Sequence, residues 1–130
     1  MNLPVLKKRA LWIFVAAVIA TASYFAHTAW QAQRGAAALK ATALEFLPLE
    51  RALALATSQG KPVLVDLSAI WCPTCRLLHA EVFTNTSVKQ AITSSYVLSR
   101  VDYDSPEARA FMQRFAVKGF PTLLVLSADG

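Results

Sequence analysis

The chain has 130 residues, enough for one domain of ordinary size and an additional segment, and its apolar content of 55% is high for a soluble domain. Its formal net charge of +5 lies entirely in residues 1–40, which carry five basic residues and no acidic one, whereas residues 41–130 carry eight of each. This balance argues against a nucleic-acid-binding surface.

The N-terminal segment combines a basic cluster with an uncharged apolar span. Lys7, Lys8 and Arg9 precede residues 10–30, none of which is formally charged. This order is typical of a membrane anchor or a signal peptide, and basic residues before such a span stay in the cytoplasm. Residues 1–9 are therefore predicted to be cytoplasmic. The chain after Trp30 is predicted to lie in an oxidising compartment, where disulfides persist.

Two outcomes for the apolar span stay open. Ala20-Thr21-Ala22 fits the cleavage site of a signal peptide, in which case the domain would be secreted to the periplasm. Trp12 and Trp30, by contrast, lie about 27 Å apart along a helix, close to the hydrocarbon thickness that interfacial tryptophans bracket. We favour a retained anchor at 10–30, followed by a linker at 31–42.

Strand and helix patterns alternate after the linker. Residues 43–47 are predicted to form a short first strand, and Pro48 stands at the start of a helix that ends at Gly60. The next strand is the apolar run 62–67, which is interrupted only by Asp66. Such a run is typical of a central strand that is covered on both faces.

The second half of the chain continues this alternation. Helices are predicted at 76–83 and 87–91, and strands at 96–101 and 122–126. A further helix is predicted to start with Ser105 as its cap and Pro106 in its first turn. Strands that alternate with helices predict an α/β layered domain.

The only two cysteines, Cys72 and Cys75, are separated by two residues at the predicted start of a helix. This spacing brings both sulfurs within one turn, so a short reversible disulfide can form. A zinc site is disfavoured because zinc usually takes four ligands and no second cysteine pair exists. Haem attachment is excluded because Arg76, not histidine, follows Cys75. The pair is therefore a candidate redox site, and no metal or cofactor is predicted.

Three motifs follow one another along the chain: Val65-Asp66, Trp71-Cys72-Pro73-Thr74-Cys75 and Gly119-Phe120-Pro121-Thr122. Their order and spacing resemble those of a thioredoxin-like fold, and the resemblance covers residues 43–130. The resemblance implies a central mixed sheet flanked by helices. After Asp129-Gly130, a hairpin turn signal, the family's final strand and helix do not follow, so we expect the sequence to be a fragment.

Within the superfamily, the chain is most similar to the C-terminal thioredoxin domain of the transmembrane disulfide reductases called DsbD. The residues that carry this likeness are Gly60-Lys61-Pro62-Val63 and Glu81-Val82-Phe83. The active-site hexapeptide from Trp71 to Arg76 also resembles that of the membrane-tethered reductases of cytochrome c biogenesis.

The chemistry expected of this motif is dithiol–disulfide exchange. Cys72, at the positive end of a helix, is favoured as a thiolate and attacks a partner disulfide. Cys75, expected to be more buried, then attacks Cys72 and releases the reduced partner. Asp66 is expensive to bury unpaired, and the resemblance implies that it exchanges a proton with Cys75.

The resemblance also implies a surface for protein partners. Pro121 corresponds to the family's cis-proline, and the Phe120 backbone beside it would pair with an extended substrate segment. An ordinary trans proline at the start of an edge strand is the alternative. Trp71 is expected to form an apolar rim around the exposed sulfur. Pro73 and Thr74 are expected to adjust the redox poise.

Two further residues are predicted to modulate the site. Arg100 matches a lysine near the family's acid and would hold Asp66 ionised, or it could form a purely structural pair with Asp66. His79 stands where the resembling domains carry an acid, and if protonated it would favour the Cys72 thiolate. Alternatively, His79 is a partly buried histidine bonded to the backbone.

Together these patterns predict a thiol:disulfide oxidoreductase that is tethered to the inner membrane, faces the periplasm and reduces protein disulfides. An upstream redox partner would supply its electrons. Two alternatives are a copper-delivery module, in which Cys72, Cys75 and His79 bind Cu(I), and a redox-inert assembly domain.

Overall fold

The computed structural model describes residues 3–130, with side chains from residue 8 onward, so Met1 and Asn2 of the predicted cytoplasmic segment lie outside the described residues. In chain order, the elements are α1 (Leu3–Ala41), α2 (Leu49–Gln59), β1 (Val63–Ser68), α3 (Pro73–Leu77), a π-helical turn (Leu78–Val82), α4 (Thr86–Ser95), β2 (Val97–Asp102), α5 (Ala108–Arg114) and β3 (Thr122–Leu126).

Strand β1 is the centre of a three-stranded mixed sheet with the order β2-β1-β3. It pairs in parallel with β2, where Asp66 lies opposite Arg100, and antiparallel with β3. Every residue of β1 is buried, as its uninterrupted apolar run predicts. The expected central strand and the mixed sheet flanked by helices are thus confirmed.

The two faces of β1 have different neighbours, because successive side chains of a strand point to opposite sides. One face packs into the main core beside α2 and α5. The buried members of that core are Ala52, Ala56, Val63, Val65, Leu67, Val97, Val101, Ala108, Phe111 and Leu126. The other face carries Asp66 and Ser68, and the π turn reaches it through a hydrogen bond between His79 and Asp66. The polar part of β1 therefore faces the π turn that follows the cysteine-bearing helix.

Helix α1 is continuous over 39 residues, and its part from Lys8 onward is long and apolar enough to cross a membrane. Within residues 10–30 the large side chains are exposed, including Trp12 at 72% and Trp30 at 48%. An apolar surface of this extent is typical of a segment that lipid or protein covers. Length, composition and exposure therefore fit the predicted span.

The C-terminal end of α1 packs against α3 and the π turn. Gln31 Oε1 accepts a hydrogen bond from the Arg76 guanidinium. Gly35 is buried so closely against the chain before α3 that a Cβ there would overlap the Ile70 carbonyl. Most of the segment predicted as a linker is therefore helical, and it lies against the domain.

This contact predicts that Gly35→Val destabilises the protein by about 1–3 kcal/mol, because the new side chain must push α1 away from the Ile70 carbonyl. Thermal unfolding of the full chain in detergent micelles measures the loss. Ala36→Val is the matched control, because Ala36 is exposed in the same helix. Equal melting temperatures for the two variants would show that α1 does not pack here.

The strand predicted at 43–47 is wrong. Ala43 has a positive φ of 51°, which interrupts an extended backbone, and only Leu47 forms a β-bridge, to Ser99. Pro48 follows at once and has no N–H to continue the pairing. The helix after it matches its prediction, and Gly60, with a φ of 64°, ends it in the left-handed conformation.

Two predicted helices differ from the structure. The helix predicted at 76–83 leaves α geometry at Leu77 and continues as the π turn, in which the Phe83 N–H bonds to the Leu78 carbonyl. Ser105 does not cap α5: its hydroxyl has no partner among the described residues, and α5 begins only at Ala108. The Ser105 N–H instead donates to the Asp102 carbonyl in a tight turn after β2, which delays the helix.

Candidate active site at the start of helix α3

Cys72 and Cys75 form a disulfide at the start of α3, with their Cα atoms 5.3 Å apart. Cys72 is the N-cap, and Pro73 follows as the first helical residue, where its missing N–H is not needed. The disulfide that the two-residue spacing predicts is therefore present, because one helical turn brings the sulfurs together.

The two sulfurs have different surroundings. Cys72 Sγ accepts a hydrogen bond from the Cys75 backbone N–H at 3.1 Å and lies 3.1 Å from the Thr74 hydroxyl. Donors at this position stabilise a negative charge on the sulfur once the disulfide opens. Cys75 is 1% exposed, whereas Cys72 is 5% exposed and is followed by exposed residues. Cys72 is therefore the sulfur that a partner can reach first.

An aromatic rim lies beside the disulfide. Trp71 is 39% exposed and makes edge-to-face contacts with Phe120 and Tyr103, whose own ring centroids are 4.4 Å apart. The Trp71 indole N–H donates to Asp104 at 2.8 Å, which fixes the ring. Sequence reasoning missed Tyr103. The sequence feature that could have identified it is an aromatic residue immediately after β2. Because β1 and β2 are parallel, this position lies at the same end of the sheet as the chain that leaves β1.

The loop before β3, which carries Phe120, also reaches the disulfide. The Phe120–Pro121 peptide bond is cis, as the resemblance implies, and the trans alternative is wrong. Phe120 packs against the small cluster formed by Ala69, Cys72 and Cys75. Residues about 45 positions apart in the sequence thus meet at one surface.

Asp66 is buried in β1, where it is 1% exposed, and it is bonded to His79. His79 Nε2 lies 2.8 Å from Asp66 Oδ2, and the Ser68 hydroxyl donates to the same oxygen at 2.9 Å. His79 is itself only 3% exposed, and its ring stacks on Phe83. The alternative of a backbone-bonded, partly buried histidine is therefore wrong.

Arg100 lies opposite Asp66 in the sheet but does not bond to it. Its guanidinium donates to the Ser68 hydroxyl at 3.0 Å, to the Ser68 carbonyl at 3.2 Å and to Asp102 at 2.8 Å. The alternative of a direct structural pair between Arg100 and Asp66 is thus wrong, because the small Ser68 lies between them. Arg100 reaches the carboxylate only through the Ser68 hydroxyl.

The copper alternative would need His79 to join the two sulfurs. Among residues 8–130 no group of three or more histidine, cysteine or acidic side chains is arranged to hold a metal ion. His79 Nε2 is already bonded to Asp66. While this bond is kept, only Nδ1 of the imidazole could ligate Cu(I).

Comparison with known proteins matches residues 43–128 to a family described as thioredoxin-like. The thiol:disulfide interchange protein DsbD of Klebsiella pneumoniae is 38% identical over 79 residues, covering 59% of this chain. DsbD of Actinobacillus pleuropneumoniae is 33% identical over 133 residues, covering 95% of this chain. The chain spans only 13% and 22% of the lengths of these two relatives.

A solved structure gives the same likeness at the level of the fold. The C-terminal domain of DsbD from Neisseria meningitidis, in its oxidised form, superposes with a TM-score of 0.56 at 26% identity. The superposition covers 66% of this chain and 80% of that domain.

Proposed function

Because this chain belongs to the thioredoxin-like family, we propose that it is a membrane-tethered thiol:disulfide oxidoreductase that reduces disulfides in other proteins. The observation that carries the proposal is the Cys72–Cys75 disulfide at the start of α3, bordered by exposed Trp71 and by the loop of the cis-proline Pro121. The similarity to proteins named for thiol:disulfide interchange supports the chemistry.

In the first step, the Cys72 thiolate attacks one sulfur of a partner disulfide. A new bond forms between Cys72 and the partner, the partner's S–S bond breaks, and the other partner sulfur leaves with the electron pair and takes up a proton. The Cys75 N–H and the Thr74 hydroxyl support this step, because their bonds to Cys72 Sγ stabilise the attacking anion.

In the second step, Cys75 loses its proton and attacks Cys72. The Cys72–Cys75 disulfide re-forms, and the remaining partner sulfur leaves as a thiolate that is then protonated. The partner has gained two electrons and two protons, which the dithiol has lost. Asp66 is the proposed proton acceptor for Cys75, since it is a buried carboxyl group bonded to His79 of the π turn that directly follows α3.

The partner is proposed to dock on the rim formed by Trp71, Tyr103 and Phe120. These three rings offer an apolar surface with polar atoms at its edge, which suits a protein segment better than a small polar substrate. The Phe120 backbone, beside the cis bond, is proposed to pair with an extended stretch of the partner.

The direction and compartment belong to the same proposal. Reduction is favoured by the likeness to the DsbD proteins. The basic cluster before the apolar part of α1 favours an inner-membrane anchor with the domain in the periplasm, or a secreted domain if the span is cleaved. An upstream redox partner would return Cys72 and Cys75 to the dithiol state.

A trapping experiment tests this function. Cys75→Ala in the full chain is expected to accumulate mixed disulfides between Cys72 and extracytoplasmic proteins, because the resolving thiol is missing. Non-reducing gels and mass spectrometry of the linked cysteines detect them. The double variant Cys72→Ser, Cys75→Ala is the control and is expected to trap nothing. Absence of Cys72-linked partners in the single variant would overturn the proposal.

A further inference from the structure

The Asp66 carboxylate is bonded at one oxygen only. Oδ2 accepts hydrogen bonds from His79 and from the Ser68 hydroxyl, whereas Oδ1 has no partner among the described residues and no access to solvent. Buried polar atoms are almost always paired, so one that is left bare calls for an explanation. The bare oxygen lies on a residue that is 1% exposed, on the sheet face that His79 of the π turn contacts.

His79 holds this carboxylate from the helical segment that carries the cysteines. It follows Cys75 by four residues, so the two side chains project from the same side of consecutive turns. The π turn at Leu78–Val82 and the stack of the imidazole on Phe83, with centroids 5.8 Å apart, fix the ring position. His79 therefore links the buried Asp66 carboxylate to the helical segment in which Cys75 is also buried.

The other charged groups near the pair have different partners. On β2, Arg100 gives its hydrogen bonds to Ser68 and Asp102, so it touches the carboxylate only through the Ser68 hydroxyl. From α3 the titratable groups are Cys75 and Arg76, and the Arg76 guanidinium donates to Gln31 Oε1 instead. Within the described part of the chain, His79 is the only ionisable side chain bonded directly to Asp66.

We propose that His79 is a positioning residue for the second step of exchange: it holds Asp66 by Oδ2 and thereby presents Oδ1 to the Cys75 thiol. This rests on the proposed function. An ionised carboxylate only accepts hydrogen bonds, so His79 Nε2 carries the proton that holds Oδ2. The Cys75 proton passes to Oδ1, directly or through one water. The Cys75 thiolate then attacks Cys72 and displaces the partner sulfur, and the proton on Oδ1 is returned to solvent.

Two-phase kinetics separate the two steps. The reduced full chain in detergent micelles is mixed with the aromatic disulfide DTNB, which releases one coloured thiolate when Cys72 attacks and a second when Cys75 resolves. His79→Leu keeps bulk but loses the donor. Its second phase is expected to slow by about tenfold or more, and its rate to rise more steeply with pH, because solvent must then take the Cys75 proton. The first phase is expected to stay within about twofold.

His79→Gln distinguishes positioning from a purely structural or a directly basic role. Its amide can donate to Oδ2 but cannot take up a proton, so positioning predicts a second phase within about threefold of wild type, with the wild-type pH profile. A glutamine variant as slow as His79→Leu would overturn the proposal. So would a leucine variant with an unchanged second phase.

Ser68→Ala provides the second route if His79→Leu does not fold. It removes the other donor to Oδ2, and positioning predicts a slower second phase with the first phase preserved. An unchanged second phase in Ser68→Ala would contradict the proposal. Failure of the wild-type chain to release any thiolate would instead overturn the proposed function, which keeps the two outcomes distinct.

Discussion

Cys72→Ser is expected to lose disulfide exchange almost completely, with the rate of reduction of a protein disulfide falling by about a thousandfold or more. A serine hydroxyl is not ionised near neutral pH, and the Cys75 N–H and Thr74 hydroxyl would then face a neutral oxygen instead of a thiolate. Cys75 cannot replace it, because it is 1% exposed and lies one turn deeper.

The measurement is the reduction of a disulfide-bonded peptide by the pre-reduced chain, with thiols alkylated at intervals and counted by mass spectrometry. Cys75→Ser is the matched control, since it changes the other sulfur in the same way. It is expected to form the mixed disulfide at close to the wild-type rate and then to stop. If Cys72→Ser kept measurable turnover while Cys75→Ser lost the first step, the roles of the two cysteines would have to be exchanged.

The sequence predicts the parts of the fold that local pattern controls. The buried run of β1, the strands at β2 and β3 and the glycine end of α2 each depend on residues within a few positions of one another. The cysteine pair belongs to the same class, because one helical turn suffices to join its sulfurs. The first predicted strand fails because a positive φ at Ala43 and the proline at position 48 break a run that is apolar but not extended.

The rest of the site depends on contacts between distant elements, which local pattern cannot specify. The family resemblance places Asp66 and Arg100 near each other, and the sheet register does so too. The Arg100 guanidinium nevertheless bonds to Ser68, while the Asp66 carboxylate bonds to His79. Which of these side chains bond to each other depends on their lengths and directions in three dimensions. Tyr103 was missed for the same reason, since it belongs to the rim only because β2 ends next to the end of β1.

Phe83 shows how far the stability of the site depends on such a contact. The side chain is 2% exposed, and it lies between the Phe46 ring, 6.0 Å away, and the stacked His79 ring, 5.8 Å away. It therefore joins the chain before α2, the π turn and, through His79, the buried carboxylate on β1. No other ring of the described residues contacts His79 in this way.

Phe83→Ala is accordingly expected to destabilise the protein by about 3–5 kcal/mol, because it removes a buried ring and leaves a cavity beside the Asp66–His79 pair. For a domain of this size, the midpoint of thermal unfolding should fall by about 10 °C or more, as measured by circular dichroism.

Leu77→Ala is the matched control for Phe83→Ala, since Leu77 is 49% exposed on the same helical segment and should lose about 1 kcal/mol or less. Equal losses in the two variants would mean that the ring does not fill the space beneath the π turn.

A large loss of stability in Phe83→Ala alone would have a consequence for catalysis as well. The contact that keeps the imidazole against Asp66 would then be part of the hydrophobic packing, so substitutions that loosen this packing should slow the resolving step before they unfold the domain.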